Sequence, residues 1–177
     1  MVLILASGRG ERFRASGGTC HKLQADLGGK TVLQRTLDAV RNSGLRWHLE
    51  DAGHPGMGDS IAAAVRATSD APGWMILPAD LALVSSRTLQ QIATAQADAE
   101  VLFPVYQGQR GHPVRFDRAC GEALRGLRGP GGASGVAGAF RQTMLEVNDA
   151  GCVLDIDTVS DLQNALDYLH ASRSSVA

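Results

Sequence analysis

Arg9, Arg12 and Lys22 follow the short apolar run Val2-Leu3-Ile4-Leu5-Ala6, separated from it by Ser7-Gly8. Glycines at 8 and 10 expose backbone N–H groups, and such groups beside cations suit a polyphosphate. A glycine turn carrying solvated arginines would use the same residues. Asp80 closes a second apolar run, Trp74-Met75-Ile76-Leu77, after Pro78-Ala79. A carboxylate at the carboxyl end of a parallel strand faces the ligand crevice, where oxygen ligands suit Mg²⁺. It equally suits a helix cap or first-turn charge. Asp155-Ile156-Asp157-Thr158 adds two carboxylates on one side of an extended segment, either of which can join Asp80 around a cation or serve as a turn acid.

Gly56-Met57-Gly58-Asp59-Ser60 is a tight loop entering a helix N-terminus, a place for an anion or a base. Arg110-Gly111-His112-Pro113 follows a Gln107-Gly108-Gln109 turn, so His112 either meets substrate or closes the turn. His21, His48, His54 and His170 have no metal-like spacing, and Cys20 beside His21 is a poor thiolate pair because sequence neighbours point apart. Three standard motifs are missed by one position each. Gly8-x-Gly10-x-x-Phe13 lacks the last glycine of a dinucleotide fingerprint. Gly29-Lys30-Thr31 has Gln24 where a P-loop begins. Gly132-x-Ser134-x-Val136 lacks the final glycine of a nucleophile elbow.

Strands alternating with amphipathic helices must position these groups. Apolar runs predict strands at 2–6, 47–49, 74–77, 101–106, 144–147 and 153–154, with Pro104 placing its strand at an edge or in an irregular stretch. Thr31 and Gln34 form a capping box before Leu33, Leu37 and Val40, and Gly44 ends that helix. Asp59 or Ser60 caps a helix bearing Ile61, Ala64 and Val65; Ser85 or Ser86 caps one bearing Leu89, Ile92 and Ala93. Asp117 caps a helix with Cys120, Leu124 and Leu127, while Ser160 and Gln163 box one with Leu162, Ala165, Leu166 and Leu169. Residues 126–138 hold six of the 21 glycines and read as a flexible segment. The pattern is that of an α/β protein with a mostly parallel sheet. At 177 residues it predicts one domain over 1–170 and a flexible tail over 171–177.

Lys and Arg number 17 against 18 Asp and Glu, which excludes the cationic surplus of non-specific nucleic-acid binding. Residues 1–50 nevertheless hold eight cations against four acids, and residues 143–177 one cation against six acids. Cations for phosphate at the front and carboxylates for metal at the back fit that gradient. The three cysteines, with no Cys-x-x-Cys pair, read as free thiols in a reducing compartment. No stretch reaches the length of a membrane span and no basic leader precedes the first strand, so a cytoplasmic protein is expected.

Taken together these residues resemble the MobA-like nucleotidyltransferase family, closest to its molybdenum cofactor cytidylyltransferase branch. Leu5-Ala6-Ser7-Gly8-x-Gly10-x-Arg12-Phe13 with Lys22 is similar to that family's opening signature. Gly56-Met57-Gly58-Asp59-Ser60, Leu77-Pro78-Ala79-Asp80, Arg110-Gly111-His112-Pro113 and Leu154-Asp155-Ile156-Asp157-Thr158 match later motifs in the same order. The resemblance implies a Rossmann-like three-layer sandwich and an Mg²⁺-dependent transfer of CMP from CTP to the phosphate of molybdopterin. It implies nucleotide binding by Leu5, Ala6, Ser7, Gly8, Arg9, Gly10, Arg12, Lys22, Gly56, Met57, Gly58 and Ser60. Lys22, Arg12 and Asp80 would be catalytic, Asp80 and Asp157 would carry Mg²⁺, and Arg110, Gly111 and His112 would border the pterin. A client molybdoenzyme is an implied partner; a membrane is not. GTP in place of CTP, a sugar-phosphate acceptor and a non-catalytic cofactor-binding paralogue are the alternatives. Only eleven residues separate Gly44 from Gly56, where relatives fit a strand, a helix and a second strand. Gly132-Ala133-Ser134 also lacks the acid and arginine of the family's Gly-Asp-x-Gly-Ala-Arg segment.

Overall fold

Val2, Leu3, Ile4 and Leu5 are all buried because β1 (Val2–Leu5) has a parallel strand on each side, β2 (Trp47–Glu50) and β3 (Gly73–Pro78). The structure, a computed structural model, describes residues 1–174. Its seven-stranded sheet runs β2-β1-β3-β6-β4-β5, where β4 is Val101–Tyr106, β5 Gln109–Arg110 and β6 Val114–Asp117. β7 (Gln142–Glu146) lies along the other side of β4. Five strands point the same way; β5 and β6 oppose them.

Strand alternation sends successive side chains to opposite faces, and each face has its own core. Val2, Ile4, Met75 and Leu77 meet α2 (Val32–Asn42), α4 (Ser86–Thr94) and α7 (Val159–Ser174) through Val32, Val40, Leu89, Ile92 and Ala165. Leu3, Leu5, Trp74 and Ile76 meet α3 (Met57–Ala67), α5 (Gly121–Arg125) and α6 (Ser134–Ala139) through Ile61, Val65, Leu124 and Val136. A short α1 (Glu11–Ala15) buries Phe13 in the first core. The result is the expected three-layer α/β sandwich with a mostly parallel sheet. Among the described residues no helix is long and apolar enough to cross a membrane.

Several local expectations are met. The Thr31–Gln34 capping box forms in both directions, Ser85 caps α4 through Thr88, and the Asp117 carboxylate caps the 3₁₀ turn leading into α5. Between α2 and α3 there is β2 and no other element, as the short spacing predicts.

Others are corrected. Of the two places expected for Pro104 the edge strand is excluded and the irregular stretch is found: its missing N–H falls where the ladder to β6 has ended at Leu102 and that to β5 begins at Val105. β6, unpredicted, wedges antiparallel between β3 and β4. Residues 153–154 form no strand; a 3₁₀ turn over Ala150–Cys152 leads into loop. Neither Asp59 nor Ser60 caps α3, whose N-cap is Gly56. Residues 126–138 are not a loose segment but turn past the start of α3 and form α6. The box at the head of α7 is Thr158 with Asp161 rather than Ser160 with Gln163. α7 carries the chain to Ser174, and residues 175–177 of the expected tail lie outside the described residues.

All three cysteines are free, and Cys120 and Cys152 are buried, one in each core. Burial pushes both thiols up to about 11. A thiolate-specific reagent at neutral pH should therefore label Cys20 alone in the native protein, and all three thiols in denaturant. Rapid native labelling of a second cysteine would contradict this packing.

Candidate active site

The carboxyl ends of β1 and β3 open into a cleft of about 770 Å³. That size holds a nucleotide. Gly10 begins its first wall: it adopts φ 64°, a left-handed conformation that glycine takes without strain, and turns the loop after β1 into α1. His21 clamps the loop to the chain bearing Lys22. Its Nδ1 accepts from the Leu23 N–H, so Nε2 carries the proton donated to the Gly8 carbonyl at 2.8 Å. On the other side the Ala79 N–H donates to the Leu5 carbonyl and Thr36 Oγ1 donates to the Ala79 carbonyl, which fixes Asp80 just beyond the parallel ladder.

Lys22 Nζ stands between two carboxylates, 2.5 Å from Asp80 Oδ2 and 2.7 Å from Asp157 Oδ1. Arg12 Nη1 holds the other Asp157 oxygen at 2.5 Å from a largely exposed position. Burial works against the ammonium of Lys22, yet Asp80 and Asp157 together hold its pKa above the ordinary lysine value. Asp155 also lines the cleft; burial first, then the neighbouring carboxylates of Asp157, Asp80 and Asp161, raises its pKa. His112 is pushed down by burial, with Asp80 and Asp155 pulling the other way.

Cations from the front of the chain and carboxylates from further along it thus meet in one cleft, where Lys22 and Arg12 pair directly with Asp80 and Asp157. Opposite charges in a partly desolvated cleft find each other.

One carboxylate oxygen stands apart. Asp80 Oδ1 is buried and has no hydrogen-bond partner. An acceptor of that kind costs free energy unless something binds it. No group of three or more His, Cys, Asp or Glu among the described residues could by itself hold a metal ion. Mg²⁺, however, is commonly bound through one or two carboxylates plus substrate phosphates. Asp80 and Asp157 fit that donor set.

At the far end of the cleft Ser7 Oγ and Ser60 Oγ are 2.5 Å apart, and Ser60 Oγ also donates to the Gly56 carbonyl. Leu5, Gly8, Arg9, Gly10, Gly56 and Met57 also line the cleft. Arg110, Gly111 and His112 border the cleft where it meets a second cavity of about 270 Å³. There Arg110 covers the Phe103 ring at 4.7 Å. Ile61, Ile76, Val114, Phe116 and the 132–134 stretch line the rest.

Two of the sequence-selected residues do not reach the cleft. Ala6 packs against the first core, and buried Gly58 faces the 128–131 backbone. Conversely, His54 lines the cleft and is bonded to buried Glu50, a pair the sequence reading passed over. Its signal was strand alternation, which puts His48 and Glu50 on one side of β2.

Residues 38–145 match the family described as the MobA-like NTP transferase domain. No curated protein matches the sequence. Among solved structures the chain is similar to Rv0371c from Mycobacterium tuberculosis H37Rv, with a TM-score of 0.78 and 24% identity over 94% of this chain and 96% of that one. A manganese complex of Rv0371c gives a TM-score of 0.71 and 21% identity over 94% and 97% of the chains. The molybdopterin-guanine dinucleotide biosynthesis protein A from Archaeoglobus fulgidus gives 0.68 and 15% over 96% and 98%. These likenesses are likenesses of fold.

Proposed function

The chain belongs to the MobA-like NTP transferase family, and on that premise we propose that it transfers CMP from CTP to the phosphate of molybdopterin, releasing pyrophosphate. The observation that carries the reading is the Lys22 ammonium set between Asp80 and Asp157, with Arg12 outside them, lining a nucleotide-sized cleft.

Such a site has no need of an activated side-chain nucleophile. The acceptor phosphate is already an anion: one of its oxygens bonds to the α-phosphorus of CTP as the bond from that phosphorus to the β-bridging oxygen breaks. Pyrophosphate takes away the electron pair. Catalysis then consists of alignment and charge neutralisation. Lys22 and Arg12 turn from the carboxylates to the phosphates, the loop over Ser7–Gly10 offers its N–H groups, and the Ser7–Ser60 end takes the base. Asp80 and Asp157 would hold the divalent ion, with the unpartnered Asp80 Oδ1 as the ready ligand. When bound, that ion supplies positive charge to the phosphate oxygens. The manganese bound by Rv0371c, a chain of the same fold, supports a divalent site.

Arg110 and His112 would meet the acceptor, its body entering the second cavity. That cavity is walled mainly by apolar side chains, which favours a second reading in which the acceptor is another phosphate monoester with an apolar body. Thermal unfolding with CTP, GTP, ATP or UTP plus Mg²⁺ tests the first half of the proposal, because a ligand of the native state raises Tm. CTP should give the largest rise; no rise with any nucleotide would remove the nucleotide reading. Pyrophosphate release from CTP should then require molybdenum cofactor. Turnover with other phosphate monoesters, and none with the cofactor, would favour the second reading.

A further inference from the structure

Glu50 ends the edge strand β2 with a buried side chain, in register with Leu5 and beside the loop that opens the cleft. One oxygen, Oε1, accepts from His54 Nε2 at 2.9 Å; the other lies 3.4 Å from His48 Nε2. Burial opposes its charge, but the two imidazoles and the Ala52 backbone hold Glu50 below its ordinary carboxylate value. A buried carboxylate so satisfied fixes whatever it accepts from. What it fixes is a ring that lines the same cleft as Gly56 and Ser60.

The Ser7 and Ser60 hydroxyls already engage each other. The His54 ring keeps a nitrogen in reserve: Nδ1 has no hydrogen-bond partner among the described residues and is not buried. Because a carboxylate can only accept, Nε2 carries the proton, and in the neutral ring Nδ1 is then an acceptor. Cytosine and uracil differ at one edge, an exocyclic amino donor in the first and a carbonyl acceptor in the second. An acceptor at Nδ1 favours the amino group and opposes the carbonyl.

We infer that His54, held by Glu50 as the Nε2–H tautomer, reads the exocyclic amino group of the nucleobase and selects CTP over UTP. This rests on the proposed reading of the cleft as a CTP site. His54 is the contact; Glu50 is a positioning residue behind it, and His48 stands on the carboxylate's other side without lining the cleft.

The test is the ratio of dissociation constants for CTP and UTP, each with Mg²⁺, measured by calorimetry. Wild type should prefer CTP by about tenfold, the equivalent of one good hydrogen bond. His54→Ala should bring the ratio close to one by weakening CTP and leaving UTP unchanged. Glu50→Gln, which keeps size and hydrogen bonding but frees the tautomer, should narrow the ratio, and His48→Ala should leave it intact. A general loss of structure would weaken both nucleotides together and would not move the ratio. Wild type binding neither nucleotide would overturn the CTP site itself. A wild type without preference, or a preference that survives in folded His54→Ala, would overturn the role of His54 alone.

Discussion

Asp80→Ala and Lys22→Met should each lower pyrophosphate release from CTP by about 10³-fold, the scale of losing a preorganised charge at a phosphoryl centre. The two variants differ in what they do to the protein without ligand. Asp80→Ala removes the buried oxygen that has no partner, together with one of the two carboxylates that hold Lys22. The remaining ammonium still pairs with Asp157. Lys22→Met leaves Asp80 and Asp157 facing one another, with Arg12 engaging only the outer oxygen of Asp157. Facing carboxylates stripped of their cation repel, and the loss should be roughly 2–3 kcal/mol for a pair with some solvent access. A divalent cation answers that repulsion in the variant that lacks the lysine. The Tm of Lys22→Met should therefore rise more steeply with Mg²⁺ or Mn²⁺ than that of wild type, whereas Asp80→Ala should respond least. Turnover by Lys22→Met above a tenth of wild type, or equal metal responses in all three proteins, would remove this cluster from the chemistry.

The same cluster shows what could be read ahead of the structure. Lys22, Asp80 and Asp157 were each picked out by local context: a cation after a glycine turn, an acid at a strand end, an acid before a capped helix. Their mutual contact was not, since it spans 58 residues in one case and 135 in the other, and no local pattern records it. β1 and β3 were plain because a strand buried on both faces is continuously apolar. β6 was missed because Val114-Arg115-Phe116-Asp117 is only four residues long and takes its place from its neighbours on both sides. Helix starts show the same limit. Thr158-x-x-Asp161 and Ser160-x-x-Gln163 both carry the elements of a capping box. The first is used where the Val159 N–H finds a partner in Ser16 Oγ, 143 residues away. At Glu50 the His-x-Glu-x₃-His spacing is in the sequence, but histidines weighed only against one another for metal spacing do not show a carboxylate orienting a ring.

Gly56→Ala should be strongly damaging, although Gly56 has ordinary extended backbone angles. Its constraint is proximity. A Cβ there would lie 2.1 Å from the Gly129 carbonyl oxygen and 2.7 Å from the Pro130 nitrogen, and backbone cannot swing aside as a side chain can. The 128–131 turn would have to withdraw. It is held to α3 by two hydrogen bonds, from the Gly58 N–H to the Gly129 carbonyl at 3.0 Å and from the Gly129 N–H to Asp59 Oδ2 at 2.8 Å. Both would stretch or break. Asp59, expected to cap α3, thus serves the fold by accepting from this distant turn. Overpacking against main chain with loss of two hydrogen bonds should cost roughly 3 kcal/mol, or about 6–12 °C in Tm for a domain of this size. The effect should also reach both cavities, because Gly56 and Met57 line the cleft and 132–134 line the second cavity. The nucleotide-induced rise in Tm should shrink along with Tm itself. Gly131→Ala is the matched control: a Cβ at Gly131 meets nothing within 4 Å, so its Tm and nucleotide response should stay near wild type. Equal behaviour of the two variants would mean that the 128–131 turn does not rest on α3 in solution, and that this wall of the cleft is not built as described.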